Sequence, residues 1–337
     1  MKKGQEIILL VVIVFLAFCS PVEKNRTSKK KNIDEYFKKF ITIDTLESVG
    51  FEHINIHDFS MLFYKEYLYI LNQGDFMVAK FKGNTPLKVY KAKKGQAPKE
   101  FIDPRHLVLY DPGTIGVYDV TKLSVLLFDL DLDYLREIRV KNYFLDLART
   151  GQGLTARQFT IETENVFAFL DENLNIMETF LKANNKRPFK NFNLLQVNHG
   201  HFLDQRLAAY TYAKYPYKNC NIDIYDLETR KMLLTLKWDQ SHSPTQADID
   251  TGRNNYYSWY AGKHGRYFVL QNTFYKDLQD KDPIKEMLIF DEKGTLILRK
   301  NFPHMLLRFK KIQNDSVLYF LDENEDISLI DIKDILE

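Results

Sequence analysis

From Ile33 to the C-terminus the chain is written in short apolar runs separated by turns, with no long stretch of helical period. The clearest example is Gly95 to Val140, GQAPKEFIDPRHLVLYDPGTIGVYDVTKLSVLLFDLDLDYLREIRV. A Gly/Pro-containing entry leads to three apolar runs, an Asp-rich turn and a fourth run. Runs of this length bounded by turn residues predict β-strands, and four in succession predict one four-stranded antiparallel sheet.

The pattern recurs in degenerate form. An apolar or aromatic residue followed by Asp closes a strand before a polar turn and a further strand at Phe128-Asp129, Leu170-Asp171, Tyr225-Asp226 and Phe290-Asp291. Phe81-Lys82 is a degenerate copy, and Ile330-Asp331 meets the chain end. Asp suits such turns because its carboxylate bonds amides two residues on. Successive marks lie 47, 42, 55, 65 and 40 residues apart, a spacing that fits one sheet per repeat with variable loops.

Six marks predict six sheets, the last lacking its fourth strand. Phe40 to Leu46 (FITIDTL) alternates cleanly ahead of the first full sheet and can supply it. The fold class expected is therefore all-β: a six-bladed β-propeller of four-stranded antiparallel blades, its ring closed by an N-terminal strand joining the last blade. The inner strands expected are Phe59 to Phe63, His106 to Tyr110, a stretch near Asn198 to Leu203, Tyr257 to Ala261, and Met305 to Phe309. Tyr143 to Thr163 offers two strands to the third blade, with Gly151-Gln152-Gly153 interrupting them in an unassigned register.

Composition agrees. Hydrophobic residues are 45% and charged residues 27%, as in ordinary globular proteins, while 25 Phe and 20 Tyr raise aromatics to 14%, a surplus that favours strands. The formal charge is +2, too small to draw nucleic acid to the whole molecule, so no nucleic-acid partner is expected.

The N-terminus stands apart. Lys2 and Lys3 precede Ile7 to Phe18, an unbroken apolar run of 12 residues, short of the roughly 20 that span a bilayer and suited to an export signal. Leu16-Ala17-Phe18-Cys19 resembles the lipobox of bacterial lipoproteins, which makes Cys19 the lipidation candidate. Phe18 departs from the small residue usual there, and an uncleaved anchor running through Val22 is the alternative. The expected organisation is 1–18 signal peptide, 19–32 lipid-anchored tether and 33–337 propeller, the tether being rich in Lys and Arg and nearly free of apolar residues. With Cys19 lipidated, Cys220 has no disulfide partner and is expected in the core.

The stretch from Gly95 to Asp129 resembles NHL-type repeats and the related TolB-like six-bladed propellers, in which a Gly-rich loop, Phe and Pro precede the inner strand. The chain is also similar to six-bladed propeller lipoproteins of Gram-negative bacteria. The resemblance implies the architecture and a cell-envelope address, anchored at a membrane on the periplasmic face or the cell surface.

Motifs for chemistry are sparse. Gly151 to Ala156 fits the letters of a dinucleotide fingerprint, but Phe159-Thr160-Ile161 follows where a helix should begin, so a loop between strands is expected. Asp129, Asp131 and Asp133 alternate like the start of a calcium loop; Tyr134 and Val140 replace its Gly and Glu, which leaves a solvated hairpin turn as the main reading. His199 with His201, and His53 with His57, could each give two metal ligands, yet no third is evident. No cofactor is expected, with a divalent metal as the lesser alternative. No P-loop or GxSxG occurs.

Propellers bind ligands over the central channel. The loops entering the inner strands offer Arg105, His106, His199, His201, Tyr257, Trp259, His264, His304 and Arg308, a mixture suited to an anionic, peptide or glycan ligand, with bidentate arginine among the recognition groups. The expected function is a non-catalytic envelope lipoprotein binding a protein, peptide or glycan; the alternative is a propeller hydrolase or lyase with its chemistry in that funnel.

Overall fold

The computed structural model describes residues 36–336 apart from 53–58, 159–164, 183–197, 213–218, 240–254, 276–283, 303, 308, 312–314 and 322–325. Lys38–Ile41 forms β1 and Ile43–Ser48 the short helix α1, which Thr42 caps by accepting the Thr45 amide. Blade 1 then contains β2 (Phe59–Tyr64), β3 (Tyr67–Asn72), β4 (Met77–Lys82) and β5 (Thr85–Lys91). Blade 2 contains β6 (Pro104–Asp111), β7 (Thr114–Asp119), β8 (Ser124–Asp129) and β9 (Tyr134–Arg139). Blade 3 is built from β10 (Phe144–Thr150), β11 (Gly153–Gln158), β12 (Asn165–Leu170) and β13 (Ile176–Lys182). Blade 4 follows with β14 (Asn198–Phe202), β15 (Leu207–Tyr212), β16 (Asn219–Asp226) and β17 (Lys231–Asp239), and blade 5 with β18 (Asn255–His264), β19 (Tyr267–Tyr275), β20 (Ile284–Phe290) and β21 (Leu296–Asn301).

Blade 6 draws on both ends of the compact unit: β22 (Met305–Leu306), β24 (Val317–Leu321) and β25 (Ile327–Asp331) come from the C-terminal part, and β1 completes the sheet by pairing antiparallel with β25. The expected six-bladed, four-stranded architecture and its closure by an N-terminal strand are both present. One detail differs. The expected inner strand Met305 to Phe309 is broken, and its continuation β23 (Phe309–Lys311) leaves blade 6 to pair in parallel with β2 of blade 1. Inner strands of neighbouring blades run the same way around a channel, so a parallel pairing is the one this crossing permits. The helix α2 (Ile332–Leu336) follows β25.

The apolar runs are continuous because both faces of the middle strands are covered. On β8, Val125 and Leu127 pack toward blade 3 and Leu126 and Phe128 toward blade 1, each less than 3% exposed. Alternate residues of one strand thus fill two different inter-blade cores. Between blades 5 and 6 an aromatic cluster performs the same task, with Phe302 and Phe320 centroids 4.7 Å apart and Phe37 beside both. Buried Gln271 adds polar bonds there, donating to His304 O and accepting from the Leu306 amide, each at 2.8 Å.

The third blade's register is settled by Gly151 and Gln152, which form the tight turn between β10 and β11, with Gly153 at φ +99° as its first strand residue. The fingerprint-like letters are a hairpin, as expected. The Asp marks are also turns. Asp129 Oδ1 accepts from the amides of Asp131 (2.9 Å) and Asp133 (2.8 Å), and Asp291 Oδ1 does the same for Lys293 and Thr295. The calcium-like triplet has its other carboxylates taken: Asp131 bonds Lys80 at 2.7 Å and Asp133 bonds Lys88 at 2.6 Å. Among the described residues no helix is long and apolar enough to cross a membrane.

Candidate functional site

The inner strands of blades 1 to 3 begin with the residues that wall a central pocket of about 430 Å³, to which all six blades contribute. Its volume lies within the about 300–1,000 Å³ usual for ligand sites. Blade 1 presents Ser60 and Gln73, blade 2 Arg105 and His106 with Asp103 just ahead of them, and blade 3 Tyr143, Asp146 and Arg157. His201, Tyr260 and Leu306 come from blades 4, 5 and 6.

Three of the residues expected over the channel meet here: Arg105, His106 and His201. Arg105 does not stand ready to receive an anion, because its guanidinium already holds Asp103 through both branches, Nε to Oδ1 at 2.6 Å and Nη2 to Oδ2 at 3.2 Å. His106 stacks over Tyr118 with ring planes 17° apart, and its Nδ1 lies 3.7 Å from Asp146 Oδ1. His201 is buried in the wall, 9% exposed.

His264 and His304 fall elsewhere. β18 is ten residues long and crosses the blade, so His264 sits at its far end, buried, with Nε2 bonded to the Tyr260 hydroxyl. His304 stands edge-on to Phe37 at 4.9 Å in the seam between blades 5 and 6. The backbone of His199, Tyr257 and Trp259 lies on inner strands β14 and β18, as expected, but their side chains lie outside the described residues, as do all of Arg308, His53, His57 and the Cys220 side chain. Cys19, with the rest of residues 1–35, also lies outside them.

Arg157 is the residue that sequence reading missed. It lies on β11, the second strand of its blade, opposite Asp146 of β10 in the register. Its side chain reaches the pocket and ties two blades together, Nη1 donating to Gly200 O of β14 at 2.7 Å. Its Nε is sealed from solvent with no hydrogen-bond partner among the described residues. Burial pulls the guanidinium pKa below the usual arginine value, and the negative charge of Asp146 opposes that shift. A cation amid apolar strand residues was the available signal; it had no use without the blade's register.

Among its described lining residues the pocket offers the Arg157 guanidinium, bonded through Nη1 alone, the imidazoles of His106 and His201, the carboxylates of Asp103 and Asp146, and the phenols of Tyr260 and Tyr143, the latter about half exposed. Among the described residues no group of three or more His, Cys, Asp or Glu is placed to hold a metal ion.

No family model matches the chain, and none of the curated proteins matches its sequence. Solved structures do share its fold. A Bacteroides fragilis NCTC 9343 protein whose name marks it as exported superposes with a TM-score of 0.59 at 14% identity, over 89% of this chain and 96% of that one. A member of the DUF4221 family from Bacteroides vulgatus ATCC 8482 gives 0.57 at 12% identity, over 82% and 94%. Kuenenia stuttgartiensis hydrazine synthase gives 0.50 at 11% identity, over 85% and 80%. The six sheets define the chain as a six-bladed β-propeller, and these structures share its fold over most of their length.

Proposed function

We propose that the protein is a non-catalytic lipoprotein of the Gram-negative cell envelope, held at a membrane through Cys19 and a tether over 19–32, whose propeller binds a peptide, glycan or protein in its central pocket. The observation that carries the binding role is the pocket itself, walled by all six blades and furnished with charged and aromatic groups on rigid strands. The envelope address rests on the Lys2-Lys3 n-region, the apolar run to Phe18 and the lipobox-like Leu16 to Cys19. The export named for the Bacteroides fragilis protein of the same fold is in keeping with it. The NHL-like and TolB-like character rests on the Gly95 to Asp129 repeat.

The test is thermal unfolding of the full chain in detergent micelles with peptides, neutral sugars and acidic sugars. A ligand at 100 times its dissociation constant adds about 2.7 kcal/mol to stability and raises the midpoint by roughly 5 °C. The absence of a shift with every member of the panel rejects the pocket as a ligand site. Globomycin, which blocks lipoprotein signal cleavage, tests the anchor: accumulation of the uncleaved chain is expected, and unchanged processing rejects it.

One observation favours a second reading, a hydrolase or lyase. His106 Nδ1 lies 3.7 Å from Asp146 Oδ1 in the pocket, an imidazole beside a carboxylate that a closer approach would make into a general base with its orienter. Turnover of any bound sugar or peptide that His106→Gln abolishes without weakening binding would favour the enzyme.

A further inference from the structure

We propose that the central pocket recognises a sugar acid, its carboxylate received by Arg157 and its hydroxyls by Asp103 and the Gln73 amide of blades 1 and 2. This rests on the reading of the central pocket as the ligand site. Arg157 has five N–H donors, and among the described residues its hydrogen bond is the single one from Nη1 to Gly200 O. Nε is buried and unpartnered. That one bond fixes the guanidinium plane against blade 4 and, with Nε sealed, leaves Nη2 and the second Nη1 hydrogen for the pocket it lines. A planar fork held in this way matches the two oxygens of a carboxylate, and shielding from water strengthens the pair.

Among the described residues the other arginine of the wall does not compete. The Arg105 fork is filled by Asp103. Asp146, across the strand pair from Arg157, turns Oδ1 to the Leu147 amide at 2.8 Å and lies beside His106. An incoming carboxylate therefore meets an arginine that, among the described residues, no side chain has neutralised by a direct bond.

The remaining groups decide what carries that carboxylate. The Asp103 carboxylate, which has lone pairs beyond those its Arg105 bonds use, and the amide oxygen of Gln73 are acceptors, which call for a ligand rich in hydroxyl donors. Peptide backbone has as many carbonyls as amides and matches such a wall less well. The exposed ring of Tyr143 gives a flat face for a pyranose. A polyol ring with one carboxylate satisfies both halves of the pocket.

The experiment is calorimetric titration of the full chain in detergent micelles with D-galacturonate and D-glucuronate against D-galactose and D-glucose, repeated for Arg157→Met and Arg157→Lys. At least about tenfold tighter binding of the uronates is expected from a charge-assisted bidentate pair. Arg157→Met should erase that preference, and Arg157→Lys, which keeps the charge and loses the fork, should retain only part of it. The melting curve of each variant separates lost recognition from lost folding; where Arg157→Met does not fold, the Lys variant alone decides. Equal affinity for uronates and neutral sugars, or an undiminished preference in Arg157→Lys, overturns the sugar-acid assignment and leaves the pocket as a ligand site. Binding of peptides alone does the same. Failure of every sugar and peptide to bind overturns both.

Discussion

Asp171 is bonded to Asn175 in both directions: its amide donates to the Asn175 carbonyl at 3.0 Å, and its Oδ1 accepts from the Asn175 amide at 2.8 Å. Asp129 with Asp133 and Asp291 with Thr295 repeat the arrangement. The Asn175 side-chain amide, then its backbone amide, holds the Asp171 carboxyl below its ordinary 3.8, and chiefly the Thr295 amide does so for Asp291. A depressed folded-state pKa means stability that is present above the unfolded value and lost as pH falls through the folded one. Urea midpoints should therefore fall as pH drops below about 4. In the double variant Asp171→Asn, Asp291→Asn that acid limb should flatten, since an amide accepts the same turn bonds without titrating. An acid limb of unchanged slope rejects the attribution.

Ring closure depends on few residues and should be sensitive to each. Ile41 at the end of β1 is fully buried in the core between blades 6 and 1. Asp326, just ahead of β25, accepts from the Ile43 amide at 2.7 Å and from Lys39 Nζ. Ile41→Ala should cost about 2–5 kcal/mol as a buried truncation. Asp326→Ala should cost about 1–3 kcal/mol by leaving the Ile43 amide without its acceptor. Leu135→Ala, on the exposed edge of β9, should stay within about 0.5 kcal/mol. Urea unfolding of the three variants checks the order, and equal losses would mean that closure has no special weight.

How far the chain announces this structure depends on whether a feature is local. The alternation at Val125, Leu126, Leu127 and Phe128 reports two buried faces from four consecutive letters, and the Asp at the third-strand end of blades 2, 3 and 5 makes its turn with neighbours two and four residues on. Both are legible because their partners are adjacent in sequence or repeat in every blade. The break after Leu306 is not, because Phe309 leaves its blade to find Met61, far away in the chain. Arg105 stands out for its place ahead of an inner strand, yet Asp103, two residues earlier, occupies it. Arg157 does not stand out, because its access to the pocket depends on the contact of β11 with Gly200, a relation between blades that no local pattern encodes. Strand length removes His264 from the funnel: β18 carries it past the channel to the opposite end.

Gly200 is required by packing. A Cβ there would lie 2.9 Å from both Val166 Cγ1 and Phe167 Cζ, where blades 3 and 4 meet. Phe167 is fully buried and cannot swing clear. Gly200→Ala should destabilise by about 1–3 kcal/mol, the usual cost of overpacking. It should also weaken whatever binds the pocket, because the Gly200 carbonyl fixes Arg157. A variant as stable as the parent would place the inter-blade seam further apart than this contact requires.

Tyr118 bridges blades 2 and 3 through its hydroxyl, which accepts from the Phe144 amide at 3.0 Å. Tyr118→Phe leaves that amide buried without an acceptor and should cost about 1–3 kcal/mol. Burial pushes the Tyr118 phenol up to about 12 against the opposing pull of the Phe144 amide, and burial likewise pushes Tyr319 up to about 12. A folded pKa raised above the unfolded value near 10 gives stability that is whole below that value and lost as pH rises through the folded one. The stability these two phenols contribute should therefore decline as pH rises from about 10 to about 12. Phenolate absorbance followed beside circular dichroism tests this: two tyrosine populations are expected in the folded protein and one in urea. A single native transition near pH 10 with the fold intact would mean that both rings are open to solvent.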